Sequence, residues 1–141
     1  MRKLIFIFIF LIWSNNSYSE EITIYVVSGK QSGLRLSCRD IKFAYLKEKI
    51  FSNNIKIIPV NLPANNKLRK LFNRYVLKMD EDELSIYWNQ RYYEGITPPL
   101  VLKSEKAMRN FLKSVKGSIG YLTKEYLDKS LKILCIIRAK R

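Results

Sequence analysis

Leu68, Leu71, Phe72, Tyr75, Val76 and Met79 recur at i, i+3, i+4, i+7, i+8 and i+11. That spacing draws one continuous apolar stripe along a helix. Lys67, Arg69, Lys70, Arg74 and Lys78 fall between these residues, so the opposite face is strongly basic. A helix with one apolar stripe is stable only when another element covers the stripe. Three β-rich segments can supply the cover: Ile22–Val27, Ile55–Val60 and Leu131–Ile137. Pro59 inside the second segment places it at a sheet edge or ends it early, because proline has no N–H for a ladder.

The remaining elements fit the same plan. Ser37 with Asp40 three residues later makes a capping box, starting a helix from about Cys38 to Ile50. The acidic run Asp80-Glu81-Asp82-Glu83 suits a helix N-terminus, where partial positive charge gathers. Leu84, Tyr87, Trp88 and Arg91 continue that helix, and Gly95 with Pro98-Pro99 ends it. Ser104 caps a shorter helix bearing Met108, Phe111, Leu112 and Val115. Gly117 and Gly120 read as turn glycines leading into a short strand, and Arg138–Arg141 as a basic tail. The order strand, helix, strand, three helices, strand, strand predicts an α/β fold with a small mixed sheet flanked by helices.

The N-terminus carries a separate message. Arg2 and Lys3 precede an unbroken apolar run, Leu4–Trp13, and Ser17-Tyr18-Ser19 supplies small residues at a cleavage site. This is the three-part pattern of a secretory signal peptide over residues 1–19, leaving residues 20–141 as one domain. The run is about half the length a membrane span needs, so no span is expected in the mature chain. The expected location is periplasmic or secreted.

Composition narrows the function. There is no His, so the usual general base at neutral pH and the commonest metal ligand are missing. No nucleotide-binding signature and no nucleophile with a positioned base can be picked out. The reading is a non-enzymatic protein without a cofactor or metal. Lys and Arg number 26 against 12 Asp and Glu. That excess favours anionic partners, small oxyanions or an anionic envelope component, while export disfavours nucleic acid. Export also places Cys38 and Cys135 where they can form a disulfide, although sequence leaves their proximity open.

Four segments in order resemble phosphate-transporter substrate-binding proteins of the type-two periplasmic class. They are Leu36-Ser37-Cys38-Arg39-Asp40-Ile41; Ile58-Pro59-Val60-Asn61-Leu62-Pro63 with the helix after it; Tyr87-Trp88-Asn89 through Gly95 and Pro98-Pro99; and Lys116-Gly117-Ser118-Ile119-Gly120-Tyr121. The resemblance implies a single lobe of such a protein, of the short kind, with phosphate or a similar oxyanion as ligand. It implies an anion site where the second strand enters the following helix, at Asn61, Asn65, Asn66, Lys67 and Arg69. Asn61 stands where the family has Arg, and Asn65-Asn66-Lys67-Leu68 stands where it has Ser-Gly-Thr-Thr. A second reading follows from those departures: an envelope interaction module on a binding-protein-like lobe that has lost its ligand and presents its basic face to an anionic partner.

Overall fold

The computed structural model describes residues 20–141; the leader assigned to residues 1–19 lies outside the described residues. Strand β1 (Glu21–Gly29) is followed by helix α1 (Cys38–Tyr45), a hairpin of β2 (Phe51–Ser52) and β3 (Ile55–Lys56), and β4 (Ile58–Asn61). Helix α2 (Lys67–Phe72) runs into a π-helical turn, Asn73–Leu77, and α3 (Glu81–Tyr92) follows. Then come β5 (Leu100–Val101), α4 (Glu105–Ser114), β6 (Ser118–Leu122), a 3-10 turn and β7 (Leu131–Lys140).

Five strands form one mixed sheet in the order β5-β4-β6-β1-β7. β4 is parallel to both β5 and β6, whereas β1 is antiparallel to β6 and β7. Side chains alternate between the faces of a strand, so neighbouring residues of β6 report on opposite layers. Tyr121 stacks on Phe72, with ring centroids 4.1 Å apart and planes 8° apart, and meets Tyr45 of α1. Gly120 points the other way: a Cβ there would sit 2.8 Å from Met108 Sδ of α4. Helices therefore cover both faces, with α1 and α2 on one and α4 on the other. Gly120 is a close-packing residue within a buried strand, not a turn glycine. Gly117 does occupy a turn, at φ 85°.

Pro59 lies in an inner strand without losing a ladder bond. Ile58 N donates to Gly117 O on the β6 side, 2.8 Å away. Strand alternation then turns the next nitrogen toward β5, which pairs only from Val60 onward. The proline nitrogen faces the one place where no donor is required.

The amphipathic stripe is buried at Leu68, Leu71 and Phe72 and then changes phase. Asn73, still α-helically bonded to Arg69 O, is buried; the π-helical turn that starts there adds a residue to one helical turn, which brings Leu77 inward and leaves Tyr75, Val76 and Met79 half-buried. Tyr75 Oη then reaches the far edge of β7, accepting from Lys140 N and donating to Lys140 O, both at 2.9 Å. The Ser37–Asp40 capping box forms at the start of α1, but that helix stops at Tyr45, five residues before Ile50. Lys47 there takes φ 56°, which closes the helix as a left-handed residue. The last strand runs through Lys140, so the basic tail is largely strand. Cys38 and Cys135 are joined by a disulfide, their Cα atoms 5.1 Å apart, tying the first residue of α1 to the edge strand β7.

Candidate functional site

The segment from β4 into α2 carries all five residues of the sequence-derived anion site. The structure separates them into two groups. Asn66 is the N-cap of α2: its Oδ1 accepts from Leu68 N at 2.8 Å and Arg69 N at 3.2 Å. Those two amides are among the ones an anion would use, and the cap has already satisfied them. Asn65 and Lys67 are exposed on the outside of the same turn.

Asn61 and Arg69 turn the other way, into a cavity of about 270 Å³ at the carboxyl ends of β4 and β5. In an open sheet with parallel strands, this is where ligands are bound. Asn61 is 6% exposed. Its Oδ1 accepts from Tyr121 Oη at 2.6 Å, and that hydroxyl accepts from Leu62 N at 3.2 Å. Burial raises the Tyr121 phenol far above its ordinary value, opposed in part by the Leu62 amide and the Arg69 charge. Tyr121 is thus a neutral donor throughout the physiological range. Because Oδ1 is the acceptor in that bond, Asn61 Nδ2 is left as a donor with no partner among the described residues.

Arg69 is held from two sides. Its Nη1 donates to Leu62 O at 2.7 Å. Its Nε lies 3.0 Å from Glu81 Oε1, and Nη2 lies 3.4 Å from Oε2. The Nε proton is not aligned on the carboxylate, so that contact is an ion pair rather than a hydrogen bond. Glu81 is positioned in turn by Asn73 Nδ2, which donates to Oε1 at 2.7 Å. Asn73 is buried at the end of α2, where its backbone N–H still donates to Arg69 O, and the π-helical turn begins there.

Helix α3 forms the opposite wall. Glu81, Leu84, Ser85, Trp88 and Asn89 all line the cavity, and their spacing of i, i+3, i+4, i+7 and i+8 is one helical face. Pro98, Pro99 and Val101 close the end. In the sequence Trp88 reads only as a residue of this helix, and no local pattern there connects Glu81 to Arg69. A larger groove, about 610 Å³, runs between Lys70, Arg74 and Lys78 and the acidic start of α3. Its walls are surface charges of both signs, and neither Asn61 nor Arg69 lines it. The smaller cavity is the better site because buried donors converge on it. No group of three or more metal-ligating side chains occurs among the described residues.

No protein-family model matches the chain. No curated protein sequence matches it either. Solved structures do match. A phosphate ABC transporter substrate-binding protein from Clostridium perfringens, crystallised with bound phosphate, superposes with a TM-score of 0.65 at 17% identity, over 81% of this chain and 44% of that one. An ABC-type phosphate transport receptor from Vibrio cholerae gives 0.63 at 18% identity, over 81% and 46%. PstS from Borrelia burgdorferi gives 0.60 at 13% identity, over 81% and 47%. The described architecture thus shares the fold of these substrate-binding proteins. More particularly, it is a PstS-like fold limited to one lobe, and the chain spans less than half the length of each of these structures.

Proposed function

We propose that the chain is an exported, non-enzymatic solute-binding protein whose oxyanion site is built on Asn61 and Arg69. The observation that carries this reading is the pairing of a buried carboxamide with a free donor and a half-buried guanidinium in one cavity at the strand ends. Arginine grips oxyanions through paired N–H groups, and Asn61 Nδ2 adds a further donor. In the ligand-free arrangement Glu81 sits on the guanidinium as an internal counter-ion. An arriving oxyanion displaces it, and Asn73 retains the displaced carboxylate. Helix α2 contributes position rather than its Leu68 and Arg69 amides, which Asn66 has capped. The solved structures to which this chain is similar include phosphate-binding members, which supports an oxyanion as ligand. Export is supported by the N-terminal pattern and by the Cys38–Cys135 disulfide, which oxidising compartments favour.

Calorimetry with inorganic phosphate tests the site. Saturable one-to-one binding is expected, weakened more than tenfold (about 1.4 kcal/mol) in Arg69→Gln. Lys67→Gln, outside the cavity, is expected to leave only a salt-sensitive change. Binding that is equally reduced by both substitutions would move the site back to the helix start and sink this assignment.

The second reading, an interaction module, draws on one observation. Lys67, Lys70, Arg74 and Lys78 are exposed together along α2 and the turn after it, and none of them forms an ion pair among the described residues. Under that reading free phosphate binds only through a background that vanishes at moderate salt. Affinity for a polyanion then falls stepwise as these four are replaced.

A further inference from the structure

The ligand cavity is not uniform. Beside the polar Asn61, Arg69 and Glu81, its lining includes the apolar Leu84, Trp88, Pro98, Pro99 and Val101. Resting on the oxyanion reading above, we infer that the physiological ligand is an organic oxyanion, an acidic head carrying a flat apolar body, rather than inorganic phosphate. The head meets Arg69 and Asn61, and the body lies along Trp88 against the two prolines.

Three observations lead there. First, a tetrahedral inorganic anion is polar on every side and has no surface to offer the apolar half of the cavity. Occupying only the polar part of the lining would leave the apolar part wet; small-molecule sites gain most of their affinity by covering such walls, with a few polar groups fixing orientation. Second, the tryptophan is held as a platform. Trp88 is half-buried, and its ring is braced edge-on by Tyr87 at 4.8 Å between centroids with an 81° interplanar angle. Tyr87 is itself fixed by donating to Leu46 O at 2.6 Å. A braced aromatic surface at a cavity wall costs a ligand little ordering entropy. Third, the polar side chains of the lining beside Trp88, Ser85 and Asn89, are exposed, uncharged and on the same face of α3. They can bond substituents on the body, and no charge there competes with the head for Arg69.

Calorimetry of the full chain with inorganic phosphate and phenyl phosphate separates the parts, because the two share a head and differ only in the body. Phenyl phosphate is expected to bind at least tenfold tighter in the unmodified protein, and the affinities for the two compounds are expected to become equal in Trp88→Ala. Trp88→Leu, which preserves apolar volume, serves if the alanine variant does not fold, and is expected to lose most of the advantage. Equal affinities for the two compounds in the unmodified protein would overturn the organic-ligand inference and leave the oxyanion site standing. Binding of neither would overturn both. Phenyl phosphate binding that ignores Arg69→Gln would show that the head does not lie at the guanidinium, and would likewise overturn the inference.

Discussion

Replacing Phe72 with Ala probes the joint between fold and site. Phe72 is fully buried, stacked on Tyr121 and tilted at 60° onto Tyr45 at 4.6 Å. Truncation to Ala removes the ring that fills the space between α2 and the sheet. For a phenylalanine buried this completely, the lost transfer energy and the residual cavity together amount to about 3–5 kcal/mol. The aromatic contacts, worth about 0.5–1.5 kcal/mol per pair, place the expectation in the upper half of that range. With a urea dependence of about 2 kcal/mol per molar, a loss of about 4 kcal/mol lowers the unfolding midpoint by about 2 M. The measurement is urea unfolding with the disulfide intact, followed by far-ultraviolet circular dichroism. Phe72→Leu should recover most of the loss, since it refills part of the volume. A loss below about 1 kcal/mol for Phe72→Ala would refute the packing described, because it would mean the apolar stripe faces solvent or a partner.

Other perturbations separate further parts of the account. Replacing Cys38 and Cys135 with Ser opens a link between residues 97 apart and should destabilise by about 2–5 kcal/mol in chemical unfolding; an unchanged midpoint would argue that the pair is reduced in the native protein. Gly117→Ala should cost more than Gly95→Ala. Both have positive φ, but only at Gly117 would the added Cβ lie 2.2 Å from a backbone carbonyl, that of Lys56. Loss of about 1–3 kcal/mol is expected there, and equal effects of the two substitutions would contradict the close approach. The Asp128 carboxyl, held by Lys113 and Ser130, is lowered to about 2. Its contribution is present above its ordinary value near 3.8 and is lost as pH falls through about 2. Lys113→Gln should flatten the acid limb of stability in that window, and an unaltered limb would count against the contact.

Much of the fold is legible in local pattern, because local pattern is what caps and stripes are. Ser37 and Asp40, Ser104, and the acidic start of α3 each satisfy helix-terminal amides within four residues, and all appear where the sequence places them. The phase change after Phe72 does not. The π-helical turn is held in place by tertiary contacts, Asn73 to Glu81 and Tyr75 to β7, that no window of periodicity contains. The early end of α1 has the same character, since Lys47 closes a helix whose composition would carry it further.

For the candidate site, the strand-to-helix segment is legible in the sequence, but which of its side chains come together is not. Asn66 serves as a cap and satisfies the Leu68 and Arg69 amides at the helix start where the resemblance places an anion. Arg69 and Asn61 remain, joined by Glu81 and Trp88 from a helix whose face toward them was visible only once the chain had folded. The signal available beforehand was the i, i+3, i+4, i+7, i+8 spacing of Glu81, Leu84, Ser85, Trp88 and Asn89, which mixes polar and apolar residues and so does not register as a core stripe.

The most direct test of the Arg69 site is the phosphate affinity of Glu81→Gln compared with the unmodified protein at one pH and one salt concentration. Gln retains an acceptor for Asn73 Nδ2 while removing the charge that competes for the guanidinium. Two unit charges about 4 Å apart at an effective dielectric near 20 interact by about 4 kcal/mol. Glu81 is 36% exposed, so most of that is screened. About 1.4 kcal/mol is the remaining expectation, a tenfold gain in affinity. Tighter binding in Glu81→Gln is the predicted result; unchanged or weaker binding, with the variant folded, would contradict an oxyanion site at Arg69.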